Sequence, residues 1–112
     1  MKLHKDLVAA SAAPLVLSIL SGGESYGYRI IQRVRDLSRG EIQWTDGMLY
    51  PVLHRLETQG FVRSRWVTTE ATRKRKYYTL TAAGKRAHGK QKEQWQVVHA
   101  TLTKSWSGLC PT

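Results

Sequence analysis

Cysteine is almost missing from this sequence: of 112 residues, Cys110 is the single one. No intrachain disulfide is possible, so an apolar core has to hold the fold, as suits a reducing cytosol. Cys110 leaves only an intermolecular bridge through the tail as a redox option. Acidic residues are also scarce, 8 against 18 Lys and Arg, and the formal net charge is +10. A surface this basic attracts polyanions. A plain solvated surface or an anionic membrane would draw on the same charge. No apolar run is long enough to cross a bilayer as a helix, which takes roughly 20 residues. The nearest approach, Leu7 to Leu20, is interrupted by Ser11 and Pro14 and has no clear processing site. It reads as a first core helix rather than a leader. Repeats, low-complexity tracts and linkers are absent too, and one domain with a modest core is the expectation.

The materials of catalysis are missing as well. His4, His54, His88 and His99 fall on separate segments, except the last two. Eleven residues of helix put those two about 16 Å apart, too far to share a metal. No phosphate-cradling glycine loop follows a strand, and no Ser/His/Asp or Cys/His arrangement stands out. The expectation is a binding protein with no metal, no cofactor and no enzymatic activity.

What the chain does contain is a clear order of elements. A helix spans roughly 5–21, kinked or restarted at Pro14, and Gly22-Gly23 ends it. A second starts near Ser25 as N-cap and runs to about Ser38, with Ile30, Ile31, Val34 and Leu37 at helical spacing. A third begins at Thr45 and stops before Gly60, with Leu49, Val52, Leu53 and Leu56 as its apolar stripe. Pro51 sits awkwardly inside it, since an interior proline costs about 3 kcal/mol. Phe61–Val67 and Lys76–Leu80 are rich in β-branched and aromatic residues and flank a polar loop, which predicts a hairpin. Thr81 then caps a last helix reaching about Trp106. Three helices and a hairpin describe a winged helix-turn-helix unit over 1–80. Residues 81–112 add a terminal helix and tail within the same compact unit. The fold class is mainly α with a small β-hairpin.

In a helix-turn-helix the second helix of the pair enters the major groove with its N-terminal half. That face offers Thr45, Asp46, Gly47, Tyr50, His54 and Arg55. Gly47 permits close backbone approach, Thr45 and Tyr50 can donate to phosphates or base edges, and Arg55 can reach phosphate or guanine. A merely solvated face is the competing reading. The hairpin carries the sharper signal, an unbroken run Arg73-Lys74-Arg75-Lys76, which Arg63 and Arg65 extend on the preceding strand. Alternation along a strand puts such charge on both faces, which is favourable where one face meets a polyanion. A lysine-protected edge strand is the alternative. The excess is regional: from Arg55 to Lys92 there are eleven basic residues and two acidic ones.

Along the terminal helix Ala87, Gln91, Trp95, Val98, Leu102 and Trp106 recur at steps of three and four. So small a fold leaves that seam without a partner, and a second subunit would bury it. Trp95 reads either as a core or dimer-seam residue, or as a stacking wall for a flat hydrophobic effector between subunits.

Taken together, several stretches resemble the PadR-type transcriptional regulators. They are Tyr26-Gly27-Tyr28 with Ile30, the run Gly47 to Glu57, Gly60-Phe61-Val62, Trp66, Arg75 to Thr81, and Gly84. The resemblance covers about Leu15 to Lys85. It implies a winged helix, dimerisation through the terminal helix, and repression at inverted-repeat operators on double-stranded DNA. It also accounts for Pro51, because the family carries a proline within its recognition helix. Met48 departs from the small hydroxyl residue often found there, which takes away one possible phosphate or base partner. Some smaller members bind flat hydrophobic compounds at the dimer centre against a helix tryptophan, and Trp95 matches in approximate position. The competing function is a winged-helix module engaging protein or RNA without preference for duplex DNA.

Overall fold

The computed structural model describes residues 1–70 and 73–108. Cys110, and with it the redox option, lies outside them. The first helix, α1, spans Lys5–Ser21 and is capped by His4, whose Nδ1 accepts from the Asp6 amide at 3.1 Å. It is one continuous helix with Pro14 inside, not two pieces. Proline removes a single amide donor, and Val16, Leu17 and Leu20 just beyond it are buried and hold the helix to the core.

The second helix does not begin where expected. Ser25 and Tyr26 form a short strand, β1 (Ser25–Tyr26), and α2 spans Gly27–Leu37. Tyr26 is the N-cap, without a side-chain capping bond, and Ser25 is buried with its hydroxyl unpartnered. Serine here is a good cap locally, but an extended backbone pairs instead with a strand fifty residues on, and no local signal announces that. Ile30 and Val34 enter the core, whereas Leu37 stays exposed. The third helix, α3, spans Asp46–Thr58 with Thr45 as N-cap. Leu49, Leu53 and Leu56 are its buried face, and Trp44 is packed into the core just ahead of it.

The wing follows as β2 (Val62–Thr68) and β3 (Lys74–Leu80), antiparallel from Val62↔Leu80 to Thr68↔Lys74. Lys74 and Arg75 therefore belong to the second strand, which starts two residues before the sequence pattern indicates. The sheet has three strands rather than two, in the order β1-β3-β2, with Ser25↔Tyr78 and Tyr26↔Tyr77 in register. That extra pairing fastens the root of the wing to the start of α2.

The last helix, α4, spans Ala82–Trp106. Its cap, Thr81, accepts from the Gly84 amide at 3.0 Å and donates to the Gly60 carbonyl at 2.6 Å, joining the helix start to the approach to β2. Gly84 is the one position in α4 where a side chain cannot fit, because an added Cβ would lie on the Phe61 carbonyl. The first turns of α4 pack on α1. From Lys92 onward every described residue is exposed. The outline is accordingly long, 62 × 32 × 20 Å. No helix among the described residues is long and apolar enough to cross a membrane.

Candidate nucleic-acid interface

The apolar stripe of α3 fixes how the helix sits. With Leu49, Leu53 and Leu56 buried, Thr45, Gly47, Tyr50 and His54 are left on the exposed side. Gly47 has open space around it: an added Cβ would meet nothing nearer than the Thr45 hydroxyl at 3.8 Å. Tyr50 leans toward α2. An added Cβ on Gly27 would stand 2.6 Å from the Tyr50 hydroxyl, so Gly27 leaves the room in which that ring is seated. Tyr50 is 44% exposed.

Across from it stands the wing. Tyr26, Gly27, Tyr28, Tyr50, Trp66, Tyr78 and the run Arg73–Lys76 line one groove of about 710 Å³. The recognition-helix tyrosine and the four wing cations thus border the same space, Lys74 and Lys76 from one face of the strand and Arg75 from its edge over Tyr26. Strand register sorts the rest. Val62, Ser64 and Trp66 share a face with Lys74, Lys76, Tyr78 and Leu80; Arg63, Arg65 and Val67 share the other with Arg75, Tyr77 and Thr79. The cationic run does place charge on both faces. The Lys76 ammonium lies 5.7 Å from the Trp66 ring and 5.6 Å from that of Tyr78, while the Arg75 guanidinium sits 4.0 Å over Tyr26. Such cation–ring contacts hold long side chains without neutralising them. Tyr77 and then Tyr26 keep the Arg75 guanidinium above its ordinary range, so it is charged at any working pH. Burial pushes the Tyr78 phenol up to about 12, and it stays neutral at the floor of the groove.

Not every expected residue joins this groove. Arg55 turns the other way and lines a separate apolar hollow of about 440 Å³ with Val8, Ala12, Trp44, Met48 and Val52, between α1 and α3. Arg63 is exposed on the far face of the wing. Arg65 is not a free cation: its Nε and Nη2 each donate to Glu24 at 2.7 Å, and the guanidinium holds the Glu24 carboxyl below the usual range. The groove in turn contains Tyr26, Tyr28 and Trp66, which sequence reasoning does not place in the site. Tyr28 and Trp66 are each 65% exposed, unusual for large rings. Along the chain, Tyr26-Gly27-Tyr28 is only part of a family pattern; its exposure is a tertiary fact.

A helix and a cationic wing around a shared groove are what a winged-helix DNA reader requires. Residues 16–90 match the sequence profile of the transcriptional regulator PadR-like family. The chain belongs to that family. Among solved structures it is similar to a transcriptional regulator from Clostridium thermocellum, at 27% identity and a TM-score of 0.80, covering 91% of this chain and 96% of the other. It is also similar to a PadR family transcriptional regulator from Eggerthella lenta, at 31% identity and a TM-score of 0.77, covering 92% and 88%. The Escherichia coli transcriptional regulator YqjI matches at 29% identity over 79% of this chain, which spans 41% of that longer protein. This PadR-like protein is thus a DNA-binding transcriptional regulator and not an enzyme.

Proposed function

We propose that this PadR-like protein is a repressor that binds an inverted-repeat operator as a homodimer. One observation carries the proposal: Tyr50 of α3 and Arg73–Lys76 of the wing line a single groove, so one duplex can meet both. Thr45, Gly47, Tyr50 and His54 would face base edges and nearby phosphates in the major groove. Arg73, Lys74, Arg75 and Lys76 would take the backbone or the adjoining minor groove. Arg55, against α1, and Arg63, on the far face of the wing, would meet phosphate only if the duplex bends past the groove. The dimer reading rests on α4. Trp95, Val98 and Leu102 are 38%, 48% and 43% exposed, and a 25-residue helix, about 37 Å long, lies bare over its distal half. That bare half, roughly 15 residues, is about the length at which an isolated helix is marginal in water, and a second copy supplies the missing surface. Residues 1–80 would then form the DNA-binding part and 81–112 the dimerisation part.

Effector sensing at that seam is the finer part of the proposal. Trp95 borders a hollow of about 470 Å³ between α1 and α4, with Pro14, Leu15, His88 and Gln91. A flat hydrophobic compound stacked on Trp95 there would tie the dimer angle to the spacing of two recognition helices. The test of the whole is selection on random duplex DNA, followed by binding stoichiometry and transcription from the recovered site. Enrichment of a two-fold symmetric site bound by two chains, with transcription lowered, is the expected result. Equal recovery of unrelated duplexes, or better binding to RNA, would sink it.

A further inference from the structure

Carboxylates are few in this protein, and two of them grip one strand of the wing. Glu57, in the last turn of α3, accepts a hydrogen bond from the Ser64 hydroxyl at 2.6 Å. Glu24, just ahead of β1, accepts from Nε and Nη2 of Arg65 at 2.7 Å each and takes a third bond from the Thr79 hydroxyl at 3.3 Å. Ser64 and Arg65 are consecutive on β2, so their side chains leave opposite faces. The root of the wing is therefore held on one face by the recognition helix and on the other by the segment leading into α2.

A carboxylate at the root of a cationic wing lowers the wing's attraction for a polyanion, so its presence there needs a compensating role. Leverage supplies one. Thr68 and Lys74 pair four residues beyond Ser64, about 13 Å along the strand. A tilt of roughly 15° at the root would carry the cationic end about 3 Å, enough to break hydrogen-bond register. We infer that Glu24 and Glu57 are positioning residues, which set the angle between wing and recognition helix so that both fit one duplex. The inference rests on the DNA-binding reading of the groove, and neither residue touches the DNA.

Charge and hydrogen bonding can be separated at one position. Glu57→Gln and Glu57→Ala remove the same charge, but glutamine keeps an acceptor for Ser64. If charge alone mattered, both would bind the selected duplex more tightly. The clamp predicts that Glu57→Gln stays at or above wild-type affinity while Glu57→Ala loses about tenfold. Binding of both to mixed-sequence duplex should hold or strengthen. Ser64→Ala breaks the same bond from the other end and leaves the carboxylate charged, so it should lose at least as much as Glu57→Ala, which covers the case of a poorly folding helix variant. Glu24→Ala should likewise lose specific affinity. Equal behaviour of Glu57→Ala and Glu57→Gln, or full specific affinity in Ser64→Ala, would overturn the clamp. Amide exchange across β3 reads the clamp without DNA: unchanged protection in the Glu24→Ala, Ser64→Ala double variant would overturn it too. A wild-type protein without duplex preference would instead overturn the reading of the groove.

Discussion

Tyr50 owes its place to a residue that has no side chain. Gly27 opens α2 directly beneath the Tyr50 ring, and an added Cβ would lie 2.6 Å from the hydroxyl and 3.1 Å from Cζ. The ring is half-exposed and can swing outward, so Gly27→Ala should leave the fold intact. Helix propensity favours alanine over glycine by up to about 1 kcal/mol, so the thermal midpoint should hold or rise slightly. Binding to the selected duplex should nevertheless weaken several-fold as Tyr50 leaves the groove. In a Tyr50→Phe background, which removes the nearest clashing atom, the same alanine should do less harm. Equal losses in both backgrounds, measured by fluorescence anisotropy, would show that the ring is not what Gly27 serves. Tyr50 is legible in the sequence as a solvent-face residue of a helix. Its dependence on Gly27 is not, because the two are 23 positions apart and only the α2–α3 packing brings them together.

At the scale of elements the wing carries the longest unbroken run of positive charge, Arg73 to Lys76. Replacing Arg73, Lys74, Arg75 and Lys76 by alanine should weaken operator binding sharply. It should also flatten the salt dependence, lowering the log–log slope by about 0.9 for every phosphate that is no longer neutralised. An unchanged slope would mean that the cations face solvent in the complex. The strand that carries three of them also holds Tyr78, whose neutral form the fold prefers. Its phenol is raised from 10.0 to about 12 by burial. The associated stability is therefore complete below pH 10 and lost as pH climbs toward 12, where the unfolded chain ionises first. Tyr78→Phe should lack this component of alkaline destabilisation, on the order of 2–3 kcal/mol, when urea midpoints are compared across pH 9–12. Hydrophobic periodicity and polar breaks make four helices and the hairpin legible, down to the Thr81 cap. Strand β1 escapes, because two residues are too few for any periodic signal and their hydrogen bonds lie in another part of the chain.

For the whole molecule the question is what lies against α4. Charge at the seam gives a direct answer: Val98→Glu with Leu102→Glu should convert a dimer to monomers in sedimentation, with the winged domain still folded. A dimer that survives would move the interface elsewhere, the apolar hollow between α1 and α3 being the next surface to test. Periodicity, charge and turn residues are enough by themselves to outline the helices and the cationic wing, since each is a property of neighbours along the chain, and the family pattern of residues adds the DNA-binding class. Only the tertiary structure decided which of the basic residues share a groove. Arg55 faces α1, Arg65 is held by a glutamate 41 residues away, and the aromatic lining comes from β1, α2, α3, β2 and β3 together. Pairings of that kind depend on which surfaces the core brings into contact, and no local pattern of residue types encodes them.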